Sequence, residues 1–399
     1  MLVVSSAFPP LQAPESSHTS ELCSRLHAAG VRVQLLTHRR SAGAGGYPFR
    51  VRGDLRGWRW HDLSRLMQGI RDARPDVVML IYLGLMYDKH PMVTLLPTLL
   101  RRVLPQTGFV VQFENSWGTE ALGLPRPLRK VVGRAARCCG ASLEFGTLLR
   151  DSDQVIALCQ AHAARLRQEC PGLGGKLTVI PAPPIAERAM TLNRDQARAA
   201  LGCRDDDVLI AYFGFVYRAK GVDCLIRAFA RIAPQNPRAR LAVIGGPIQY
   251  SADARDSARY FQQVQDLARS LNVADRVTFT GFVEDVPLTA ADVAVLPMHD
   301  GLRLNNSSYA AVASQGLPVV ATWKHDSDPI FRHEETAMLF RPGDDAELSL
   351  HLHRLVNDAA LRRELSSASF RISREVISWD AALRATIRVI AKADPRRPV

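Results

Sequence analysis

The chain has 399 residues, of which 47% are hydrophobic and 23% charged. That length exceeds one ordinary core and suits two domains, and the composition excludes a disordered or fibrous chain. The formal net charge of +12 favours a negatively charged partner, such as nucleic acid, anionic lipid or a phosphorylated substrate, without choosing among them.

The opening MLVVSSAF reads as a first buried strand, since it lacks the basic start and long apolar core of a secretory leader. Further short apolar runs follow at VRVQLL (31–36), VVMLIY (77–82), FVVQF (109–113), QVIAL (154–158) and LTVI (177–180), separated by segments long enough for helices. They are apolar throughout rather than alternating, as in parallel strands covered on both faces. A proline-rich break, PAPPI at 181–185, precedes a second series: VLIAYF (208–213), RLAVIG (240–245), VTFT (277–280), VAVLP (293–297), PVVAT (318–322) and AMLF (337–340). Two βα-repeating halves predict an α/β protein of two doubly wound Rossmann-like domains, residues 1–184 and 185–375, facing a central cleft. Residues 376–399, with SWDAALRATIRVIAKA at 378–393, predict a closing amphipathic helix.

Other segments narrow the chemistry. The longest apolar run, VVMLIYLGLMY at 77–87, is well short of the roughly 18 residues that cross a bilayer. Seven scattered cysteines with no C-x-x-C pair signal neither a disulfide framework nor a zinc site, which together with the start predicts a cytoplasmic protein. RPLRKVVGRAAR at 126–137 is the densest basic segment; it is either a solvated helix face or a peripheral contact with anionic membrane at the inner face. Nucleic acid is not expected, because no aromatic residues interleave with these charges. RDSD at 150–153 reads as a turn, and His351 and His353 lie on different sides of a helix, so no metal site is expected.

Two segments of the second half favour an anion. FGFVYRAKGVDCLIRAF at 213–229 runs from a strand end through a loop holding Arg218 and Lys220 into a helix. At 305–308, NNSS stands before an alanine-rich helical run, which is either an ordinary N-cap or an anion site at the helix N-terminus. The chain carries no Walker-type loop and no dinucleotide fingerprint after a first strand, and GAGG at 43–46 reads as a flexible loop, which weakens kinase and dehydrogenase readings.

The ordered series FGFV, RLAVIGGP, RVTFTGFV, ADVAVLPMHDG, GLPVVAT and LFRPGDD resembles the nucleotide-sugar half of retaining glycosyltransferases of the GT-B fold, family four, the glycosyl transferases group 1. The first half resembles the family more loosely, through VVSSAFPP, LHAAGVRVQLLT, FENSWG and SDQVIALCQ. The resemblance implies a metal-independent, retaining transfer of a sugar from a nucleoside diphosphate sugar to an acceptor hydroxyl, a glycan, lipid-linked or small molecule, with no cofactor. It implies Lys220 on the donor diphosphate, Gly214 allowing close backbone approach, Ser307 and Ser308 offering the helix N-terminus between Asn305, Asn306 and the phosphates, and Phe282 and Val283 near the nucleobase. It further implies a C-terminal helix that crosses back to the first domain.

The chain departs from the family pattern at several positions. Phe215 stands where the family has an arginine, with Arg218 as a possible substitute in the same loop. Arg303 and Ala311 occupy the places of the usual glutamate pair, although a branch of the family carries DG, a basic residue and a small polar pair here. In the first half, Glu114 or Asn115 replaces the common histidine of the central strand; Glu114, Asn115 and Trp117 could orient acceptor hydroxyls or assist proton transfer, or Glu114 could simply cap the next helix. His18 either reaches a sugar from the first loop or is a surface helical residue. The lost glutamates leave a catalytically inactive homologue that binds a nucleotide sugar or a partner protein as the alternative.

Overall fold

Unbroken apolar runs can be satisfied only where a parallel sheet is covered on both faces, and the protein builds two such sheets. The structure, a computed structural model, describes every residue except 12, 42–44, 116–130, 132, 135–140, 186–190, 249–253, 284 and 397–399. Trp117 and most of the basic segment 126–137 therefore lie outside the described residues. The chain divides into two compact units, Met1–Pro181 together with Ala382–Val399, and Ala182–Ala381. The first boundary falls within the PAPPI break.

In the first unit, β1 (Leu2–Val4), β2 (Gln34–His38), β3 (Arg50–Leu55), β4 (Val77–Tyr82), β5 (Gly108–Phe113), β6 (Gln154–Ala157) and β7 (Leu177–Val179) form a parallel sheet of order β3-β2-β1-β4-β5-β6-β7. All six residues of β4 are buried, on both faces. Each such side chain withdrawn from water contributes roughly 1.5–3 kcal/mol, which explains why the run contains no polar residue. β3 was not among the expected strands; RVRGDL is an edge strand with half-exposed residues, so it carries no apolar signature.

In the second unit, β8 (Val208–Phe213), β9 (Ala239–Ile244), β10 (Val277–Gly281), β11 (Val293–Leu296), β12 (Val319–Thr322) and β13 (Met338–Phe340) form a parallel sheet of order β10-β9-β8-β11-β12-β13. Helix Val222–Ile232 buries Val222, Leu225, Ile226, Phe229 and Ile232, the i, i+3, i+4 spacing of a helix lying on a sheet. Helix Ser307–Ser314 is different: Ser308 to Ala313 are all buried, while Ser307 at its start is exposed. The strand order reverses between β1 and β4 and again between β8 and β11, and in doubly wound sheets a ligand crevice opens beyond the carboxyl ends of such strands. Helix Trp379–Ala393 closes the chain. Among the described residues, no helix is long and apolar enough to cross a membrane. The expected turn at 150–153 is instead partly helical, over Leu148–Asp151, with Asp151 accepting from Thr98.

Candidate functional site

At the second reversal point two loops meet. The loop after β8 makes a short 3-10 turn over Arg218–Lys220 and ends at Gly221, which has φ +66°. A Cβ there would fall 2.1 Å from the Pro297 carbonyl oxygen, so only glycine lets this loop touch the one after β11. His299 N–H donates to the Ala219 carbonyl at 2.9 Å and fixes the contact. Gly214, φ +135°, serves the same purpose in the neighbouring layer: a Cβ would lie 2.6 Å from Ser308 Oγ.

The two loops enclose a cavity of about 230 Å³ whose lining includes Lys220, Asp300, Arg303, Asn305, Asn306 and Ser307. Burial pushes the Lys220 ammonium below its ordinary range, and Asp300 offsets some of that. Its Nζ also lies 5.7 Å from the Tyr217 ring centre. Asn306 is the N-cap of helix Ser307–Ser314; its side chain accepts from Tyr309 N–H at 2.9 Å and donates toward Met298 Sδ at 3.1 Å. The two readings of NNSS thus meet in one turn: Asn306 caps the helix and, with Asn305 and Ser307, lines the cavity beside first-turn amides that precede the intrahelical ladder. Ser307 is exposed, whereas Ser308 is buried against Gly214.

The other expected donor residues are distributed around this point. The Phe215 ring meets Phe282 edge-on at 5.7 Å, and Phe282 and Val283 are half-exposed, making an apolar rim beside Gly214. Arg218 does not line the cavity; its guanidinium lies 5.4 Å from the Tyr260 ring and 3.5 Å from Gln263 Oε1, on helix Ala254–Ser270. Arg303 lines the cavity but is held by Asp326 at 2.5 Å, and Ala311 is fully buried within its helix. Asp300, Tyr217 and Asp326 were missed from sequence; Asp300 stands in the MHDG motif, which signals a strand end but not the direction of a carboxylate.

In the first unit, His18 and Glu114 come together. His18 Nδ1 is 3.2 Å from Glu114 Oε1, which also accepts from Gln112 Nε2 at 2.8 Å, and both side chains are buried. His18 sits on helix Pro14–Ala28, neither in the first loop nor on the surface as expected, because its helix face meets Ser5, just after β1, through Thr19, and Glu114, just after β5, through His18 itself. Burial pushes Glu114 up, but His18 and Gln112 outweigh it, and the carboxyl ends below its ordinary range. Burial pushes His18 down, but Glu114 outweighs it and the imidazole ends above its ordinary range. Glu114 therefore holds His18 and Gln112, and Asn115 follows it, half-buried. Among the described residues, no group of three or more His, Cys, Asp or Glu side chains is arranged to hold a metal ion.

Residues 207–358 match the family model described as Glycosyl transferases group 1. A D-inositol 3-phosphate glycosyltransferase of Thermomonospora curvata is 29% identical over 283 residues, covering 67% of this chain and 61% of that protein. The chain thus spans about six tenths of that relative's length. Among solved structures, sucrose-phosphate synthase from Thermosynechococcus elongatus superposes with a TM-score of 0.72 at 19% identity over 97% of both chains. Anabaena HepE in complex with UDP gives a TM-score of 0.69 at 15% identity, over 97% of this chain and 98% of that one. These likenesses establish the fold of two Rossmann-like parallel sheets found in GT-B proteins.

Proposed function

We propose that the protein is a retaining glycosyltransferase that moves a sugar from a nucleoside diphosphate sugar to an acceptor hydroxyl without a metal ion. The observation that carries this reading is the convergence of Lys220, Asn305, Ser307 and an open helix N-terminus on one cavity at the β8/β11 reversal point. A departing diphosphate gathers negative charge as the glycosidic bond breaks, and preorganised amides, hydroxyls and an ammonium meet that charge where it forms. The half-exposed Phe282 beside Gly214 offers a nucleobase an apolar face. The family match of residues 207–358 and the UDP bound by HepE support the nucleotide, and make UDP the first nucleoside diphosphate to test. The names of the relatives and the charge of +12 support a phosphorylated or otherwise anionic acceptor.

In this mechanism the leaving phosphate takes the acceptor's proton on the face it departs from, so the new bond forms with retention. Lys220 and the Ser307 helix stabilise the diphosphate, and the chain needs no separate general base in the second unit. The test is a thermal-shift screen of nucleoside diphosphates, followed by donor turnover with and without EDTA. A ligand at 100 times its dissociation constant stabilises by about 2.7 kcal/mol, a shift well within detection. Absence of any shift with every nucleoside diphosphate, or a rate abolished by EDTA and restored by a divalent ion, overturns the proposal.

A further inference from the structure

Four loops leave the carboxyl edge of the first sheet side by side, on both sides of the first reversal point. Strand order places the loops after β3, β2, β1 and β4 in that sequence along the edge. Side-chain contacts tie them together: His38 Nε2 bonds the Arg56 carbonyl at 2.8 Å, Ser41 Oγ donates to the Phe8 carbonyl at 3.1 Å, and Trp60 meets the His90 ring at 5.2 Å. From this edge Leu11, Trp60 and Leu85 protrude with 43%, 50% and 61% of their surface exposed.

These apolar groups are held in place. Leu85 rides on the 3-10 turn Gly84–Tyr87, whose Tyr87 is fully buried, bonds the Ile81 carbonyl at 2.7 Å and packs edge-on against buried Trp58 at 4.6 Å. Trp60 lies two residues beyond Trp58 and points the other way, into solvent. Around them stand exposed Arg39, Arg40, Arg56, Arg59 and Lys89, with Asp88 as the exposed acid among the described residues of the same turns.

We propose that this edge docks on an anionic phospholipid surface. Cations ringing an indole and two leucines match a headgroup layer that is negative outside and apolar just beneath, where tryptophan prefers to sit. Nucleic acid fits less well: a single indole gives one stacking face, and Leu11 and Leu85 have no partner among bases. The inference goes beyond the transferase reading and stands without it.

The test is co-sedimentation of the full chain with phosphatidylcholine vesicles carrying about one third phosphatidylglycerol, or none, at roughly 0.01 M and roughly 1 M salt, where the Debye length falls from about 30 to about 3 Å. Binding should require the anionic lipid and be lost at high salt. Trp60→Ser with Leu85→Ser, and separately Arg59→Glu with Lys89→Glu, should each weaken it by on the order of tenfold or more. Both pairs are exposed, so an unchanged circular dichroism spectrum and melting curve identify the loss as one of contact. Equal binding to neutral vesicles, undiminished binding by either variant, or single-stranded DNA binding that depends on Trp60 as strongly as vesicle binding does, overturns the proposal.

Discussion

The two sheets share one strand order around their reversal points, yet use them oppositely. At the first, the polar side chains satisfy one another: Glu114 takes His18 and Gln112, and all three are buried. At the second, Lys220, Asn305, Asn306 and Ser307 line a cavity, and Asn306 also caps the helix that starts there. The same topology can therefore close a polar site or offer it, and the difference lies in whether a cavity opens beside the polar side chains. A closed site should respond to mutation through stability, and an open one through ligand binding.

The largest expected effect breaks the closed side. His18→Ala leaves a buried carboxylate without its cation, a loss of about 3–5 kcal/mol for a pair of this kind. Glu114→Gln in the His18→Ala background should restore some of it, since it removes the stranded charge. The pH dependence follows from the two shifts. Glu114 is depressed, so its contribution is present above the ordinary carboxyl value of 4.5 and fades as pH falls through the folded value. His18 is raised, so its contribution is complete below the ordinary imidazole value of 6.5 and fades as pH rises through the folded value. Melting temperature should accordingly be highest between these values, and the variant should lose that maximum.

How much of this was visible in the sequence depends on where the partners lie. The core strands were legible because burial on both faces forces unbroken apolar runs, as in VVMLIY and VLIAYF. β3 was not, since an edge strand tolerates Arg50, Arg52 and Asp54. Lys220 and NNSS were legible as anion-favouring residues at strand-to-helix crossovers, but not that Asn306 both caps the helix and lines the cavity. His18 looked like a surface residue because nothing near it in sequence reveals Glu114 at the end of β5. Arg218 stands in the same loop as Lys220, and the sequence does not show that its guanidinium turns toward Tyr260 and Gln263.

The next two effects probe the open side. Gly221→Ala forces a side chain onto a left-handed residue and against the Pro297 carbonyl, with an expected cost of about 1–3 kcal/mol and a matching loss of donor affinity as the two loops separate. Calorimetry and melting should move together in this variant. Lys220→Ala should weaken nucleoside diphosphate binding by about 1.5–3 kcal/mol with stability retained. Since burial depresses Lys220 and a bound anion reverses that, affinity in the wild type should decline, and binding should take up protons, as pH rises into the alkaline range where Lys220 titrates. A pH-independent affinity, measured by calorimetry in buffers of different ionisation enthalpy, would remove Lys220 from the diphosphate.

The smallest expected effect sharpens the comparison most, because it separates a cap from an anion contact within one turn. Ser307 is exposed on the cavity and Ser308 is buried beside Gly214, while Asn306 holds the helix start. Alanine at 307 keeps the cap and the backbone amides, and removes one hydroxyl that water can partly replace, so each turnover should slow by the equivalent of about 0.5–1.5 kcal/mol. The loss should appear in kcat rather than in the Michaelis constant for donor, because the hydroxyl meets charge that grows only as the diphosphate departs. Asn306→Ala should do the reverse: the Tyr309 amide loses its acceptor, the helix start loosens by about 0.5–2 kcal/mol, and the melting temperature falls. If Ser307→Ala lowers the melting temperature and leaves kcat intact, then the whole NNSS turn is structural and the second reversal point is as closed as the first.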